Sequence, residues 1–377
     1  MARSVLAFYV SSHGFGHAAR DIEVINEIGR TRPDVRIVMR SRVPGSFIER
    51  SALVGVELQP SDTDTGVAQI DSLHIDEAET ARQAAAFYEQ FSARVNAEAH
   101  VLRTLNASLV VGDIPPLACA AADRAGIPSI VLGNFTWDWI YAAYPQFEVL
   151  APGVIDAIGG AYALATRALR LPLHGGFETV RGVVQDVAFV ARRSRRARDE
   201  VRRALGLGLQ DTVVLASFGG HNLGLDYGAI APANPFRLLL TDHEYPGGHD
   251  ANNLVRVTRA SLADRGLRYE DLIAASDVVV GKPGYGIVSE CVANGTAFLY
   301  ARRDRFAEED IFEREMPTML RCRQIEREVL MAGHWRHDIE ALLAQPSPTS
   351  TPATNGAETA ATAIIDLLSC GPSGPPW

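Results

Sequence analysis

The chain alternates between short apolar runs and longer segments whose apolar residues recur at helical spacing. The first run, residues 5–10, leads into a glycine turn and then into Ile22, Ile25 and Ile28, which predicts a strand, a turn and a helix. Runs of the same kind predict strands at 35–39, 107–111, 129–132, 212–217, 237–241, 253–258, 277–280 and 297–300. Short strands separated by helical patterns are typical of parallel α/β sheets.

The segments between the strands predict helices, one long loop and two domains. Helices are expected at 77–105, 117–125 and 357–368, and a basic, solvent-exposed helix at 192–203. The polar segment 60–76 is long enough to close over a site. Proline and glycine cluster between 145 and 176, where we expect the chain to cross between domains. The resulting division is an N-terminal Rossmann-like domain over 1–170, a crossing over 171–184, a C-terminal Rossmann-like domain over 185–344, and a linker, helix and disordered tail over 345–377.

Composition and charge narrow the class of protein. A chain of 377 residues is long enough for two domains. Its mean hydropathy is +0.01, and it contains no run of about 20 apolar residues that would predict a transmembrane span. The net charge of −9 argues against a general nucleic-acid binder. We therefore expect a cytoplasmic protein that binds no nucleic acid and whose membrane contact, if any, is peripheral.

Two glycine turns carry candidate chemistry. The segment 11–21, SSHGFGHAARD, places His13 and His17 in the turn after the first strand. Such a turn directs backbone N–H groups above the sheet, where the helix dipole adds positive charge. The segment 281–290, GKPGYGIVSE, repeats the arrangement with Lys282, the only lysine in the sequence. Glu290, one turn into the following helix, has two oxygens with which to bind a vicinal diol such as that of ribose.

These features together resemble the GT-B glycosyltransferases, in which two Rossmann-like domains face each other across a nucleotide-sugar cleft. The segments HGFGHAARD, NFTWDWIY and GKPGYGIVSE also resemble a group of bacterial glycosyltransferase-like proteins and the N-terminal domain of plant L-arabinokinases, over nearly the whole chain. The resemblance implies metal-independent, inverting transfer of a sugar from a nucleotide-diphosphate donor, a UDP-sugar, to a hydroxyl on a small molecule or glycan. No further cofactor is expected.

The resemblance assigns the catalytic pair to the first half. His17 stands where inverting members keep a general base, and Asp113 stands where several keep its orienting carboxylate. An acceptor hydroxyl must lose its proton as it attacks the anomeric carbon, and a neutral imidazole can take it. Both residues follow predicted strands, so they can meet at one edge of a parallel sheet. On the residues alone, His17 is equally well explained as a residue that caps or packs in the turn.

The donor site is assigned to the second half, with Lys282 and backbone amides at the diphosphate. The segment 281–290 differs from the corresponding segment of plant UDP-glycosyltransferases, which starts with His and has Asn at the position of Gly286. Glu308 and Glu309 are similar to the acidic and amide pair that grips the sugar hydroxyls, with Glu309 replacing the amide. The full predicted donor set is Gly16, Gly219, Gly220, His221, Arg268, Lys282, Gly284, Tyr285, Gly286, Ile287, Glu290, Glu308 and Glu309.

The acceptor site is predicted in the first half. The loop after the strand at 129–132 holds Trp137 and Trp139, whose indole faces can stack on sugar C–H bonds or can equally be core aromatics. Asn134 and Asp138 can hydrogen-bond hydroxyls there. The full predicted acceptor set is His13, Gln69, Asn134, Trp137 and Asp138.

Parts of the sequence also fit functions other than glycosyl transfer. The segment 14–19 fits the G-x-G-x-x-A dinucleotide fingerprint, but an NADP-dependent oxidoreductase would leave the second glycine block unexplained. Asp62 and Asp64 match the D-x-D metal motif of the other glycosyltransferase fold, and we interpret them as turn residues, with no metal site expected. A nucleotide-sugar 2-epimerase and a non-catalytic nucleotide-sugar sensor remain alternatives.

Overall fold

The computed structural model describes residues 4–219, 223–241, 251–303 and 305–370. The strands are β1 (Val5–Val10), β2 (Arg36–Arg40), β3 (Val56–Gln59), β4 (Leu109–Asp113), β5 (Ser129–Gly133), β6 (Arg167–Arg170), β7 (Val183–Asp186), β8 (Val213–Ser217), β9 (Arg237–Thr241), β10 (Leu254–Val257), β11 (Val278–Gly281), β12 (Ala297–Tyr300) and β13 (Cys322–Gln324).

The helices of the described part of the chain include none that is both long and apolar enough to cross a membrane. They are α1 (Phe15–Thr31), α2 (Gly45–Ser51), α3 (Glu77–Glu89), α4 (Phe91–Leu105), α5 (Pro116–Ala125), α6 (Trp137–Ala142), α7 (Gln146–Leu150), α8 (Val154–Tyr162), α9 (Arg198–Ala204), α10 (Tyr227–Ile230), α11 (Arg259–Asp264), α12 (Tyr269–Ala275), α13 (Tyr285–Asn294), α14 (Glu308–Met319), α15 (Arg327–Met331), α16 (Arg336–Leu343) and α17 (Gly356–Cys370).

The strands form two parallel sheets. The first has the order β3-β2-β1-β4-β5-β6-β7 and the second the order β10-β9-β8-β11-β12-β13. In each sheet the strand order reverses once, between β1 and β4 and between β8 and β11. The carboxyl ends of the strands beside such a reversal flank a crevice, which is where α/β sheets bind ligands. The predicted α/β class with two Rossmann-like halves is confirmed.

All the predicted strands occur within two residues of their expected bounds. The central ones, such as β1 and β4, are buried along their whole length, which is why their sequences are continuous apolar runs. The strands that the pattern missed lie mostly at sheet edges. At one such edge, every residue of β7 is exposed, so its sequence carries no apolar run to recognise.

Three predicted segments differ in the structure. The helix expected at 77–105 is two helices, α3 and α4, which meet at Gln90. The basic segment 192–203 is helical only from Arg198, and its residue Arg202 is buried because it binds Asp277 and backbone carbonyls. The crossing expected at 171–184 runs into β7, which pairs with β6, so the chain leaves the first sheet only after Asp186.

The carboxyl-terminal helix returns to the first half of the chain. Helix α17 packs against α1, and the segment 345–356 before it is held by backbone hydrogen bonds. Phe189 N donates to Ala353 O over 3.1 Å, and Gly356 N donates to Phe189 O over 2.9 Å. The predicted disordered tail, 371–377, lies outside the described residues.

The long loop between β3 and α3 joins the two halves. Leu73 is buried in the apolar cluster that Val214, Leu238 and Val280 form on the second sheet. Beside it, the Ser72 hydroxyl donates to Phe218 O over 2.9 Å. The segment 60–76 therefore contributes a leucine of the first half to the core of the second half. That it closes over a site stays a prediction.

Replacing Leu73 by alanine is expected to lower the free energy of unfolding by about 2–5 kcal/mol, because a buried leucine leaves a cavity in the second core. Ile70, in the same loop, is 69% exposed, so Ile70→Ala is the matched control and should change little. Chemical denaturation of the two variants measures both effects. Equal stability of Leu73→Ala and wild type would show that the loop contact is not formed in solution.

Candidate active site

His17 is held near the start of α1, at the carboxyl end of β1. Gly14 precedes the helix with a φ of 82°, a left-handed conformation that glycine adopts without strain. This turn lets α1 begin at Phe15. The His17 side chain is only 9% exposed. The turn therefore presents the imidazole at the sheet edge and not to bulk solvent.

Asp113 reaches His17 because β1 and β4 are neighbours in the sheet. The last residue of β1, Val10, pairs with Asp113 at the end of β4. The Asp113 Oδ1 atom lies 2.8 Å from His17 Nδ1. The structure thus brings together the two side chains predicted as base and orienting carboxylate. When Nδ1–H donates to Asp113, the Nε2 lone pair is left to accept a proton.

Arg20, which is not among the predicted site residues, also binds the Asp113 carboxylate. It follows His17 by about one helical turn, and its Nε and Nη2 atoms donate to the two Asp113 oxygens. Burial alone would raise the pKa of Asp113, but the charge of Arg20 and the hydrogen bonds with Arg20 and His17 outweigh it and lower this pKa to about 2. Asp113 is therefore an anion at neutral pH. The sequence signal was a basic residue three positions after the candidate base.

Asp21 is a second carboxyl group beside this pair. Its side chain is fully buried, and neither oxygen has a hydrogen-bond partner in the described part of the chain. Burial raises the pKa of Asp21 well above its usual range, and the negative charge of Asp113 raises it further. The pKa values of the two neighbouring carboxyl groups are therefore shifted in opposite directions, that of Asp113 downward and that of Asp21 upward.

Asp21→Asn is expected to stabilise the protein at neutral pH and not in acid. The raised pKa means that folded Asp21 holds a proton that the unfolded chain releases above about pH 4, which costs about 1.4 kcal/mol for each pH unit until the folded group ionises. An amide carries no such cost. Denaturation at pH 4 and pH 7.5 should show an advantage of the variant that grows with pH, whereas an equal offset at both values would contradict a protonated Asp21.

The second half directs the amino end of α13 toward α1. The helix begins at Tyr285, just after the loop that contains Lys282. A Cβ atom on Gly219 would lie 3.8 Å from Lys282 Cε, and one on Gly286 would lie 3.7 Å from Gly16 Cα. The first turns of α1 and α13 therefore approach each other closely. Helix N–H groups that lack intrahelical partners, together with a lysine charge, suit an anion such as a diphosphate.

Glu290 is engaged in an ion pair. Arg192 donates from Nε to Glu290 Oε1 over 2.5 Å, and a second carboxylate, Glu270, lies 4.0 Å from Arg192. Burial raises the pKa of Glu290 to about 6, although Arg192 opposes the shift. The prediction that Arg192 belongs to a solvent-exposed helix is wrong, because these carboxylates draw it inside. The ribose contact of Glu290 stays a prediction.

The two glutamates at the start of α14 are also paired. The Asn134 side-chain amide, from the first half, donates to Glu308 Oε1 over 2.6 Å. Arg303 donates to Glu309 Oε1 over 2.6 Å and lies 3.5 Å from Glu308 Oε2. Burial raises the pKa of Glu309, with Arg303 opposing the shift. The two carboxylates predicted to bind the donor sugar thus form the second half's side of a polar contact with the first half.

The structure corrects two predicted acceptor residues. Trp137 is 1% exposed, its Nε1 donates to Asp64 over 2.9 Å, and its ring stacks on Tyr141. Asp138 accepts from the Thr179 hydroxyl over 2.8 Å. Both are buried residues of α6, and Trp137 packs in a core cluster with residues of α8, so the prediction of an open indole face is wrong. The loop sequence showed aromatic residues after a strand but not the helices that cover them.

The remaining predicted acceptor residues are His13, Asn134 and Gln69. The His13 ring is edge-on to Trp137 at 5.9 Å, and Asn134 accepts from Arg20 Nη1 over 2.8 Å. Gln69 forms a backbone bridge with Ile75 in the loop between the halves. Asn134 is therefore the predicted acceptor residue that joins the His17 and Asp113 pair, through Arg20.

The side chains of Asp62 and Asp64, the two acids of the D-x-D motif, bind different partners. Asp62 pairs with Arg42 at the surface over 2.8 Å, whereas Asp64 supports the Trp137 indole. Burial raises the pKa of Asp64. The turn interpretation is therefore wrong for Asp64, which is a buried partner of a core residue. The described residues contain no group of three or more His, Cys, Asp or Glu placed to hold a metal.

The other predicted donor residues have ordinary structural positions. Gly284 immediately precedes α13, and Ile287 packs against a core cluster that contains residues of both halves. Arg268 precedes α12, where its N–H donates to Asp271 Oδ2 over 2.8 Å. Gly220 and His221 lie outside the described residues.

Known proteins resemble this chain in sequence and in structure. No protein-family model matches it. L-arabinokinase from Arabidopsis thaliana is 32% identical over 371 residues, which are 95% of this chain and 34% of that protein. The chain therefore spans about one third of the length of this curated relative.

Solved glycosyltransferases share the fold over nearly the whole chain. The structure of the kitacinnamycin glycotransferase superposes with a TM-score of 0.65 at 16% identity, over 97% of this chain and 100% of that one. UGT2 of Phytolacca americana, solved with UDP-2-fluoro-glucose and pterostilbene, superposes with a TM-score of 0.57 at 12% identity, over 98% and 94%. At such low identity the likeness establishes the arrangement of the two sheets.

Proposed function

We propose that this chain, which has the GT-B fold of nucleotide-sugar glycosyltransferases, transfers a sugar from a UDP-sugar to a hydroxyl acceptor with inversion at the anomeric carbon. The observation that carries the proposal is the 2.8 Å contact between His17 and Asp113. This pair lies at the edge of the first sheet that faces the amino end of α13 and Lys282. A general base and an anion site therefore face each other across the two halves.

In the proposed reaction, His17 acts as the base. The acceptor O–H gives its proton to His17 Nε2 while its oxygen forms a bond to the anomeric carbon. The bond from that carbon to the β-phosphate oxygen breaks on the opposite face, and UDP leaves with the electron pair. Asp113 accepts the Nδ1–H bond and stabilises the imidazolium that forms. Attack opposite the leaving group inverts the anomeric configuration.

The leaving diphosphate is stabilised by the second half. Lys282 supplies a full positive charge, and the first N–H groups of α13 supply hydrogen bonds. We propose that these groups suffice without a metal ion. Glu308 and Glu309 at the start of α14 hold the hydroxyls of the donor sugar. Glu290, whose Oε1 is paired with Arg192, holds the ribose. The partners are a nucleotide sugar and a small-molecule or glycan acceptor.

The test is a product assay with purified protein. A panel of UDP-sugars is incubated with a hydroxyl-rich acceptor mixture and EDTA, and released UDP and glycosylated product are measured together by chromatography. The proposal predicts equimolar UDP and product, and proton NMR of the product shows the anomeric configuration opposite to that of the donor. Retained configuration would exclude the inverting mechanism. UDP release that occurs only after Mg²⁺ or Mn²⁺ is added would exclude metal independence.

A further inference from the structure

Arg20 has an environment that the proposed reaction does not yet use. Its guanidinium is buried within the first half, with 4% of the side chain exposed. It binds both oxygens of Asp113, and its Nη2 lies 3.0 Å from His17 Nδ1. Its remaining nitrogen, Nη1, donates to Asn134. A buried arginine this close to a candidate base affects both the position and the charge of that base.

We propose that Arg20 is a positioning residue that fixes the Asp113 carboxylate, keeps His17 unprotonated and ties the pair to the donor side of the cleft. This inference rests on the proposed role of His17 as the base. It assigns to Arg20 an effect on the protonation of His17 that a purely structural arginine would not have.

The electrostatic step follows from the charges that face His17. A lone carboxylate beside a histidine favours the imidazolium, which cannot accept a proton. The Arg20 cation next to Asp113 offsets that effect and favours the neutral ring. The other facing groups are Asp21 on the same helix and Asp64 in the loop before α3, and burial raises the pKa of both. Of these groups, Arg20 and Asp113 are the two whose charged atoms contact the imidazole.

The orientation of the Asp113 carboxylate follows from its two hydrogen bonds with the Arg20 guanidinium. Two parallel N–H bonds fix the plane of the Asp113 carboxylate, so Oδ1 is aimed at His17 Nδ1. With the Nδ1 proton held there, the basic nitrogen of the ring is Nε2. A lysine at position 20 would supply the charge but only a single point of contact. Charge and orientation can therefore be separated by substitution.

The third step connects Arg20 to the second half. Asn134, which accepts from Arg20, donates its amide to Glu308 on α14 over 2.6 Å. The Arg20 guanidinium also lies 5.1 Å above the Tyr285 ring, at the start of α13. These two contacts come from the helices proposed to hold the donor sugar and the diphosphate. Arg20 therefore connects the candidate base to residues of the second half.

The test measures the His17 imidazole directly. Protein with ¹³C-labelled histidine is titrated by NMR as wild type, Arg20→Gln and Arg20→Lys, with the His17 signal assigned from His17→Asn. Arg20→Gln should raise the titration midpoint of His17 by about one pH unit or more, because one positive charge is lost. Arg20→Lys should leave the midpoint within about half a unit and lower kcat at least tenfold, with a smaller change in KM.

Arg202→Gln is the matched control. Arg202 is also buried and bound to a carboxylate, Asp277, at the amino end of β11, away from the carboxyl edge where His17 lies. It should leave the His17 midpoint unchanged. If Arg20→Gln does not fold, Arg20→Met removes the same charge with an apolar side chain. An unchanged midpoint in the folded neutral variant would overturn the inference.

The outcome separates this inference from the proposed function, because the titration needs no turnover. A shifted midpoint in a protein that turns over no nucleotide sugar would support the role of Arg20 and defeat the transferase. Turnover by wild type, together with an unchanged His17 midpoint in Arg20→Gln, would support the transferase and exclude the proposed role of Arg20.

Discussion

His17→Ala is expected to lower kcat for sugar transfer by about 10²–10⁴-fold, the usual contribution of a positioned general base. The acceptor hydroxyl would then lose its proton to water, which is not held against the anomeric carbon. The affinity for UDP should change little, because the proposed diphosphate site, α13 and Lys282, lies in the second half. Steady-state kinetics and calorimetric titration with UDP measure the two quantities separately.

The matched control is His100→Ala on α4, where the histidine is exposed. It should behave as wild type in both measurements. Asp113→Asn should also lower kcat, since an amide cannot stabilise the imidazolium and leaves Arg20 without its anion. A kcat within threefold of wild type for His17→Ala would show that another group removes the proton.

Lys282→Ala is expected to impair both binding and chemistry. The charge that compensates the diphosphate in the ground state and as it leaves is lost, so we expect kcat to fall by about 10²-fold or more. The dissociation constant for UDP should also rise at least tenfold, in contrast to His17→Ala. Lys282→Arg keeps the charge and should recover part of both losses.

Because Lys282 is the only lysine in the chain, chemical protection offers a second readout. An amine-reactive reagent modifies this side chain and the terminal amine, and peptide mass spectrometry distinguishes the two. A saturating nucleotide sugar should slow modification of Lys282 and leave the terminal amine unaffected. Equal modification with and without the ligand, together with an unaltered dissociation constant in Lys282→Ala, would remove Lys282 from the donor site.

The parts of the site that sequence predicted well follow directly from strand patterns. β1 and β4 are continuous apolar runs because both their faces are buried. Residues just after such runs must lie at the carboxyl edge of a parallel sheet, so His17 and Asp113 could be placed together before any coordinates. The glycine block before α13 was recognised for the same reason.

The parts that sequence missed depend on partners distant in the chain. Arg20 looks like any charged residue on a helix until β4 places Asp113 beneath it. Arg192 belongs to a strongly basic segment, which favours a solvent-exposed interpretation, yet Glu290 holds it inside. Trp137 resembles an acceptor residue in sequence, because no local pattern reveals that its ring is buried in the core that α6 and α8 share. Charged and aromatic residues can belong either to a binding site or to the core, and the partners that bury their side chains are not visible in the local sequence.

The central claim is that the two halves bind a nucleotide sugar between α1 and α13. The most direct measurement is thermal and calorimetric titration of wild type and Lys282→Ala with a panel of UDP- and dTDP-sugars and free nucleotides. The account predicts that a UDP-sugar stabilises wild type, by about 2.7 kcal/mol at 100 times its dissociation constant. Lys282→Ala, whose dissociation constant is expected to be at least tenfold higher, should lose about half of this stabilisation or more at the same concentration. No stabilisation of wild type by any nucleotide or nucleotide sugar at millimolar concentration would contradict it.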